Sequence, residues 1–512
     1  MTHHPSEHLS RRRLLQGATA VGAAAAVPSL IGLGATAAQA ATSGTYTIRY
    51  DQPQKQTILG LGFEIQSDTI GSGNNGLPSQ FGGALYDLLP SERSRFYQQM
   101  LKVRDDRGFR YCRLALGLYF RGLDASKKHF IDRYPGQSAQ LAEMIQQAGI
   151  EGIDAEYWSP APGWKSDPDG AGGPVQPGLI GGRLAADVDY DALSDAMVAD
   201  LDYLSARGIP VKMWGLQNEP QQSGINYPHC YYDPAVYLAA FKAAAPKIRQ
   251  HYPDALIHAE SHHGWGGPIG KALLADPTTL PYIDAWTYHC LGDDNNAGTP
   301  GGGPEDSDYI LANNFTSGAL GKPVFCNEYE YLHGAPTPYR TVNTAQVIMN
   351  WMTQHNAPTW FWLHALKPIG NSEASGYSLG YWRPPGNTDF SDPATAHIQE
   401  GCWDFNWGNW NAVAGFVRYM PWNSIRYGVD EAVVSKDQRI MAWKTPGGKP
   451  VFVITNRSAS PFTFTVNTQT TASFVGNRFS YSLHNQHLSA QTGPTLTLTV
   501  PPQSIEFWVR TP

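Results

Sequence analysis

The sequence is poor in charged residues and has no paired cysteines. Of its 512 residues 16% are charged, and the net charge is -7. A chain of this kind offers no cationic surface for a phosphate backbone, so nucleic acid is not an expected partner. The five cysteines are an odd number and form no C-x-x-C pair. This argues against both a disulfide framework and a zinc cluster.

Long hydrophobic runs are also missing, apart from one weak stretch near the N-terminus. The run from Ala18 to Ala38 is mostly alanine and glycine, follows "SRRRLLQ" and precedes "AQA" at Ala40. This pattern predicts a twin-arginine export signal over residues 1–40 rather than a membrane anchor. The protein is then expected to be secreted or periplasmic, with no stable membrane insertion after the signal is cleaved.

What the chain does contain is a repeated alternation of apolar runs and amphipathic segments. Leu193, Met197 and Leu201 fall at helical spacing before "IPVKMWGLQ", an apolar run typical of a buried strand. Eight such units predict an α/β fold, a (β/α)8 TIM barrel, over residues 57–425. The eight strand segments are "TILGLGFE", "FRYCRLALG", "GIDAEYWSP", "VKMWGLQ", "ALIHAE", "IDAWTYH", "KPVFCNE" and "TWFWLHA".

The last part of the chain has a different pattern. Thr, Val and Phe alternate in "FTFTVNT" and "TLTLTVPP" without a helical period. Residues 426–512 are therefore predicted to form a fused antiparallel β-sandwich side domain. "GTYTIRYD" has the same character, so residues 41–56 are expected to add a strand to that domain before the chain enters the barrel.

Two glutamates occupy positions where a barrel carries its chemistry. Glu219, in "WGLQNEP", ends the fourth predicted strand, and Glu328 ends the seventh. Because barrel active sites lie at the C-terminal strand ends, these two side chains should face each other across the mouth. Paired carboxylates are what cleavage of a glycosidic bond requires. Glu330 shares a strand face with Glu328, and the strand pattern alone does not choose between them.

Other residues near the strand ends are candidates for substrate binding. Asn218 adjoins the acid and can hydrogen-bond a sugar 2-hydroxyl, and Arg113 lies in a buried segment where it needs a carboxylate partner. Aromatic side chains at strand ends can stack on sugar rings, although ordinary core packing would also explain them. The remaining candidates are Trp158, Trp164, Tyr288, His289, Trp360 and Trp362.

Several of these segments resemble glycoside hydrolases of clan A, most closely family 30. "WGLQNEP" and "FCNEYEY" are similar to the acid/base and nucleophile strands, "YWSPAPGWKS" to the third-strand W-S-x-P-x-W-M-K pattern, and "RYCRLALG" to the second-strand arginine segment. The resemblance implies that Glu328 is the nucleophile and that Arg113 keeps it ionised. It departs from the family pattern in the first strand, "GLGFEIQSDTIG", where Glu64 is unexpected.

The leading hypothesis is a secreted retaining β-glycosidase that hydrolyses β-linked oligosaccharides, polysaccharides or glycosides through Glu219 and Glu328 without a metal or other cofactor. Two long insertions, "GDDNNAGTPGGGPEDS" and Pro368 to Trp407, slightly favour exo action, because they can wall off a pocket. Carbohydrate is the expected partner, and the oligomeric state is not indicated.

Two alternatives remain open at this stage. "HAESHH" places His258, Glu260 and His262 at alternate strand positions, where one face could hold the ion of a metal-dependent hydrolase. The abundance of aromatic residues would also suit a non-catalytic carbohydrate-binding protein.

Overall fold

The computed structural model describes most of the chain after residue 41. The described residues are 42–52, 56–65, 88–103, 108–169, 178–223, 227–262, 267–291, 322–330, 334–370, 376, 378–432 and 435–511. The predicted export signal and the insertion "GDDNNAGTPGGGPEDS" lie outside them. Within the described residues, no helix is both long and apolar enough to cross a membrane.

Strands dominate the described part of the chain. In chain order they are β1 (Ser43–Ile48), β2 (Gln56–Ile58), β3 (Gly60–Ile65), β4 (Tyr111–Leu116), β5 (Gly122–Leu123), β6 (Phe130–Ile131), β7 (Gly152–Tyr157), β8 (Val211–Gly215), β9 (Leu256–His262), β10 (Ala285–Leu291), β11 (Val324–Glu330), β12 (Thr359–Trp362), β13 (His364–Pro368), β14 (Ser378–Trp382), β15 (Trp403–Phe405), β16 (Ser424–Tyr427), β17 (Val429–Glu431), β18 (Gln438–Lys444), β19 (Pro450–Asn456), β20 (Phe462–Ser480), β21 (Gln486–Val500) and β22 (Ser504–Arg510).

Helices connect the strands of the first part of the chain. The α-helices are Pro90–Phe96, Gln137–Ala148, Tyr190–Ser205, Pro234–His251, Pro268–Ala275, Pro338–Gln354 and Trp407–Tyr419. The helix that precedes β8 shows how the sequence sets their limits. Asp189 accepts hydrogen bonds from the first-turn amides of Asp191 and Ala192, and Gly208 takes a φ of 81° just beyond the helix end.

Eight parallel strands close into a barrel in the order β3, β4, β7, β8, β9, β10, β11 and β12. Each one falls within or overlaps one of the eight apolar runs in the sequence, so the predicted (β/α)8 fold is confirmed. The first run is divided, however, because Gly60 adopts a φ of 143° that favours glycine. The residues before it form β2, which pairs with β16 in the side sheet rather than with the barrel.

Side chains on the barrel strands alternate between the barrel interior and the surrounding helices. Phe361 of β12 points inward and lies so close to Gly62 of β3 that a Cβ there would be 2.2 Å from its ring. Trp214 of β8 points outward, with its ring 6.2 Å from that of Phe241 in the helix Pro234–His251. This alternation decides which of the candidate residues can reach a substrate.

The side domain is a nine-stranded sheet in the order β17, β1, β20, β22, β19, β18, β16 and β2, with β21 paired to β20. The strand expected from "GTYTIRYD" is β1, which lies parallel to β20 in this sheet. One face buries Phe452, Phe464 and Trp508. The other face packs on the barrel helices, as in the edge contact of Phe507 with Phe416 at 5.0 Å. The structure therefore confirms a barrel with a fused β domain.

The long segment after β12 forms structure of its own. β13, β14 and β15 make a three-stranded sheet that follows directly from the C-terminal end of a barrel strand. Arg383, which is fully buried beside it, donates hydrogen bonds to the carbonyls of Ile398 (2.6 Å) and Thr395 (3.0 Å). This arginine thereby holds the loop after β14 through its backbone carbonyls.

Candidate active site

A buried arginine links four barrel strands and the loop after β8 at their C-terminal ends. Arg113 of β4 donates from Nη1 to Glu328 Oε2 (2.6 Å) and to Glu64 Oε2 (2.8 Å), and from Nη2 to Asn218 Oδ1 (2.8 Å). Its Nε donates to Glu156 Oε2 at 2.9 Å. Burial alone would lower the pKa of Arg113, but the surrounding carboxylates, Glu156 foremost, outweigh burial and raise it. The guanidinium is therefore a permanent cation inside the barrel.

The two predicted catalytic glutamates face each other beside this arginine. One oxygen of Glu219 and one of Glu328 lie within 4.8 Å of each other and of a nitrogen of His289. His289 Nδ1 lies 3.2 Å from Glu219 Oε1 and 3.7 Å from Glu328 Oε2. His289 Nε2 in turn lies 3.0 Å from the hydroxyl of Ser261 on β9. The histidine thus sits between the carboxyl groups and is itself fixed by a neighbouring strand.

The backbone that carries Glu219 is strained and held at both ends. Glu219 has a φ of 42°, a conformation that non-glycine residues adopt rarely and at a cost of about 1–3 kcal/mol. Its amide donates to the carbonyl of Ser261 (2.8 Å), and the amide of Asn218 donates to the carbonyl of Tyr157 (2.7 Å). The chain after β8 is thus tied to both adjacent strands, and the side chain of Glu219 is directed over the barrel mouth.

A loop from outside the barrel strands supports Glu219. Tyr227 donates from its hydroxyl to Glu219 Oε2 (3.1 Å), and His229 Nε2 donates to the carbonyl of Glu219 (2.9 Å). Lys165 donates from Nζ to the carbonyl of His229 (3.0 Å) and to Ser159 Oγ (3.1 Å). Burial lowers the pKa of Lys165 to about 8. These contacts connect "YWSPAPGWKS" to the loop that positions the candidate acid.

A register shift on β11 separates Glu328 from Glu330. The pairing of β10 with β11 skips one residue at Asn327, so Asn327 and Glu328 both reach the barrel interior. Asn327 donates from Nδ2 to Ser261 Oγ at 2.9 Å, whereas Glu328 meets Arg113. Glu330 lies instead with its Oε2 3.4 Å from His364 Nδ1. The structure thus places Glu328, and not Glu330, opposite the other catalytic candidate.

Four of the predicted substrate-binding residues lie at this site. Arg113, Asn218 and His289 make the contacts described above. Trp158 lies beneath the guanidinium, with Arg113 Cζ 4.3 Å from its ring centre. Trp158 is 4% exposed, so it forms the floor beside the carboxyl groups rather than an open platform.

Three other aromatic candidates point away from the site, which corrects the prediction. Trp360 and Trp362 lie on the opposite face of β12 from Phe361, and both pack against Tyr329 at 4.9 and 5.6 Å. Tyr288 packs against Trp351 of the helix Pro338–Gln354 at 5.8 Å. All three are fully buried between the strands and the helix layer. Position near a strand end had suggested stacking on a sugar, but strand alternation assigns these rings to the core.

Trp164 belongs to the loop after β7. Its indole nitrogen donates to the carbonyl of Lys128 at 2.9 Å, and Lys128 Nζ lies 4.3 Å from its ring centre. With 7% of its surface exposed, the ring packs against this loop, and its role in sugar binding stays a prediction.

The residues of the metal alternative do not converge. His258 points into the barrel, with Nε2 2.9 Å from Asp154 Oδ1. Glu260 accepts hydrogen bonds at Oε1 from the amides of Gly267 (3.1 Å) and Gly270 (3.2 Å), at the start of a helix. Burial raises the pKa of Glu260 to about 8. Among the described residues, the metal-type donors close enough to share one ion are those of the two candidate glutamates and His289.

Some residues of the site were not anticipated from the sequence. Glu156 and Asn327 contact the central arginine or its carboxylates, and Ser261 and Tyr227 support His289 and Glu219. A signal for Glu156 exists, since "GIDAEYW" alternates acids with apolar residues and its acids must face the barrel interior. Tyr227 follows a loop after β8, and nothing in its sequence context predicts its return to the site.

The side domain matches a known family. The family model described as the glycosyl hydrolase family 30 beta sandwich domain matches residues 431–506. Among curated proteins, none matches the sequence.

Solved structures with the same fold cover about nine-tenths of the chain. The catalytic domain of a family 30 xylanase C from Talaromyces cellulolyticus is 17% identical with a TM-score of 0.64, covering 91% of this chain and all of that one. A family 30 subfamily 8 xylanase from Clostridium acetobutylicum is 18% identical with a TM-score of 0.62 at 91% and 100% coverage. An endo-β1,6-glucanase is 14% identical with a TM-score of 0.64 at 92% and 93% coverage. At these identities the likeness shows a shared fold.

Proposed function

We infer that this chain, which is a family 30-like protein of glycoside hydrolase clan A in its fold and its side domain, is a retaining β-glycosidase. The observation that carries this proposal is the approach of Glu219 and Glu328 to within 4.8 Å. Retaining enzymes hold their carboxyl groups about 5–5.5 Å apart, whereas inverting enzymes need roughly 6.5–9.5 Å to admit a water. The spacing here leaves room for direct attack by one carboxylate.

In the first step, Glu328 attacks the anomeric carbon and forms a covalent ester with the sugar. The bond from that carbon to the leaving oxygen breaks, and Glu219 donates its proton to this oxygen. In the second step, Glu219 takes a proton from water, the water oxygen attacks the anomeric carbon, and Glu328 leaves as a carboxylate. Two inversions at one carbon give overall retention.

Arg113 supports this division of roles. It donates directly to Glu328 Oε2 and holds this oxygen in place for attack. Glu219 is contacted at its two oxygens by Tyr227 and His289. The different surroundings of the two carboxyl groups are what an attacking base and a proton donor require.

Asn218 is proposed to bind the sugar 2-hydroxyl. Its Oδ1 accepts from Arg113 Nη2, so the amide presents its Nδ2 donors to the substrate. A hydrogen bond to the 2-hydroxyl strengthens as positive charge develops at the anomeric carbon, and it therefore lowers the barrier.

The substrate is proposed to be a β-linked glycan or glycoside, in keeping with the xylanases and the β1,6-glucanase that share the fold. Exo action and export as a secreted or periplasmic enzyme remain part of the proposal. Support for exo action comes from the three-stranded sheet that follows β12 at the barrel mouth. Oligosaccharides labelled at the reducing end distinguish the modes. Exo action from the other end releases one short unlabelled product and shortens the labelled chain stepwise.

The test is the stereochemistry of the first product together with covalent trapping. Proton NMR of aryl β-glycoside cleavage should show the β-anomer first. A 2-deoxy-2-fluoro glycoside with a good leaving group should label Glu328, as read by peptide mass spectrometry. Glu328→Gln and Glu219→Gln should each lower kcat/KM by more than about 10³-fold, whereas Glu330→Gln, the matched control on the same strand, should stay within roughly tenfold.

Three results would contradict the proposal. Appearance of the α-anomer first would make the enzyme inverting. Labelling of Glu330, with activity preserved in Glu328→Gln, would move the nucleophile two residues along β11. Lack of hydrolysis across a panel of β-glycosides and β-glycans, with the fold intact, would instead favour a carbohydrate-binding protein.

A further inference from the structure

Glu64 places a third carboxyl group on the arginine that holds the proposed nucleophile. It lies on β3, is 1% exposed, and accepts at Oε2 from Arg113 Nη1 at 2.8 Å. The same nitrogen donates to Glu328 Oε2 at 2.6 Å. Nη1 of Arg113 therefore donates to two carboxyl groups. Glu328 is the proposed nucleophile, and Glu64 has no role assigned so far.

The charges around Arg113 do not balance if every carboxyl group is ionised. Glu64, Glu156 and Glu328 all contact this one guanidinium, so full ionisation would leave two negative charges in excess inside the barrel. An uncompensated charge inside a protein is strongly destabilising. At least one of the three is therefore favoured in its neutral form.

The hydrogen bonds identify Glu64 as that group. Glu156 Oε2 accepts from Nε and Nη2 of Arg113 and from Asn327 Nδ2, which are three donors to one oxygen. Glu64 Oε2 accepts from Nη1 alone. Its Oε1, like Oε1 of Glu156, is buried and accepts no hydrogen bond from a described residue. Burial raises the pKa of Glu64, and the opposing effect of Arg113 does not offset it. A neutral carboxyl also needs fewer donors than a carboxylate.

Groups from several elements face Glu64. Arg113 comes from β4, Glu156 from β7 and Glu328 from β11, and each acts on its charge. Burial and then Glu64 raise the pKa of Tyr119, in the loop after β4. β13 packs along β3 and carries two further buried titratable residues, His364 and Lys367.

We propose that Glu64 is a positioning residue of the active site, whose neutral carboxyl shares Arg113 Nη1 with Glu328 without adding a further negative charge beside the nucleophile. This inference rests on the proposed two-glutamate mechanism. When Glu328 is esterified and loses its charge, Glu64 Oε2 still gives Nη1 an acceptor, so the arginine stays in place for the second step. Ionised Glu64 would compete for Nη1 and repel the carboxylate of Glu328, so activity falls as Glu64 deprotonates.

The test compares the pH dependence of kcat/KM in wild type, Glu64→Gln and Glu260→Gln. Glutamine keeps the shape of the Glu64 side chain and stays neutral at every pH, so the alkaline limb of the kcat/KM profile should move up by about one pH unit. At the optimum, kcat/KM should fall roughly tenfold, because an amide holds Arg113 Nη1 less well. Glu260→Gln removes another buried carboxyl group from the same barrel, remote from Arg113, and should leave the profile unchanged. Thermal unfolding checks that each variant is folded.

The outcomes separate this proposal from the one before it. A wild type that hydrolyses β-glycosides with an alkaline limb unmoved in Glu64→Gln would overturn the role of Glu64 alone. A loss above about 10³-fold at every pH would show that an ionised Glu64 is needed, and would overturn it as well. Infrared difference spectra at pH 6 test the neutral carboxyl independently of activity. Its C=O band should be present in wild type and missing in Glu64→Gln, and a wild type without this band would also overturn the proposal.

Discussion

The guanidinium of Arg113 reaches the carboxylate of Glu328 through a single nitrogen, Nη1, at 2.6 Å. The contact joins the second strand of the barrel to the seventh, and both side chains are buried, at 0% and 7% exposure. A buried pair of this kind gains little net stability, because desolvation offsets the attraction. Its value lies in fixing the position of one carboxylate oxygen.

Replacement of Arg113 by lysine should therefore damage catalysis more than charge conservation would suggest. A lysine ammonium has three donors on one atom and cannot span the four oxygens that the guanidinium contacts. We expect Arg113→Lys to lower kcat/KM by about 10²- to 10⁴-fold, in line with about 3–5 kcal/mol for a broken buried pair. Arg110→Lys is the matched control, since Arg110 lies next to β4 and pairs with Glu151 at the other end of the barrel. Equal activity in both variants would contradict the role given to Arg113.

The two faces of the barrel wall predict opposite phenotypes for two tryptophans. Trp158 lies under Arg113, so Trp158→Phe should lower kcat/KM with little change in stability, because it removes part of a contact worth about 0.5–2 kcal/mol. Trp360 packs against Tyr329 outside the barrel, so Trp360→Phe should lower the free energy of unfolding by roughly 1–3 kcal/mol and leave kcat/KM unchanged. Urea unfolding and steady-state kinetics on both variants measure this. The reverse pattern would show that Trp360 contacts the substrate.

The sequence predicted the barrel because its signal repeats. Eight apolar runs separated by helical patterns leave few other folds, and positions at the C-terminal strand ends then identified the two candidate acids. The limits differed slightly, since β2 (Gln56–Ile58) and β16, from Ser424, lie in the side sheet rather than within the predicted barrel of residues 57–425. The boundary between β2 and the barrel depends on the backbone conformation of Gly60, which hydrophobic periodicity does not predict.

The wall of the site was predicted less well than its centre. Strand alternation is a local rule, and it would have placed Trp360 and Tyr288 outside the barrel had the inward-facing position on each strand been known. The register shift at Asn327 breaks the same rule on β11, and only the pairing of neighbouring strands reveals it. The contact of Tyr227 with Glu219 depends on how the loop after β8 folds back, and spacing along the sequence does not predict this.

Replacing Glu260 by the neutral glutamine should stabilise the fold, and the gain should depend on pH. Its folded pKa of about 8 lies above the ordinary value of 4.5. The folded state therefore favours the protonated form, and this contribution is complete below about 4.5 and is lost as the pH rises through 8. Glu260→Gln should match wild type near pH 4.5 and exceed its free energy of unfolding by a few kcal/mol at pH 8.5, since each pKa unit is about 1.4 kcal/mol. The amides of Gly267 and Gly270 reduce this gain. Urea unfolding at both pH values measures it, and a gain at the lower pH would contradict the assignment.

The stability that the pair of His258 and Asp154 contributes should also fall as the pH rises, but for a different reason. Burial alone would lower the pKa of His258, but Asp154, 2.9 Å away, raises it above its ordinary value of 6.5. A raised pKa means that the pair stabilises the fold fully below 6.5 and loses this contribution as the pH rises through the folded pKa.

Asp154→Asn should consequently lower the free energy of unfolding by about 3–5 kcal/mol at pH 5.5 and by less at pH 9, because the imidazole loses its proton as the pH rises. Asp195→Asn, which breaks an exposed pair with Lys247, should cost under about 1 kcal/mol at either pH. Urea unfolding at the two pH values measures both variants. A loss in Asp154→Asn that is the same at both would show that the aspartate acts through its shape and hydrogen bond, with His258 neutral throughout.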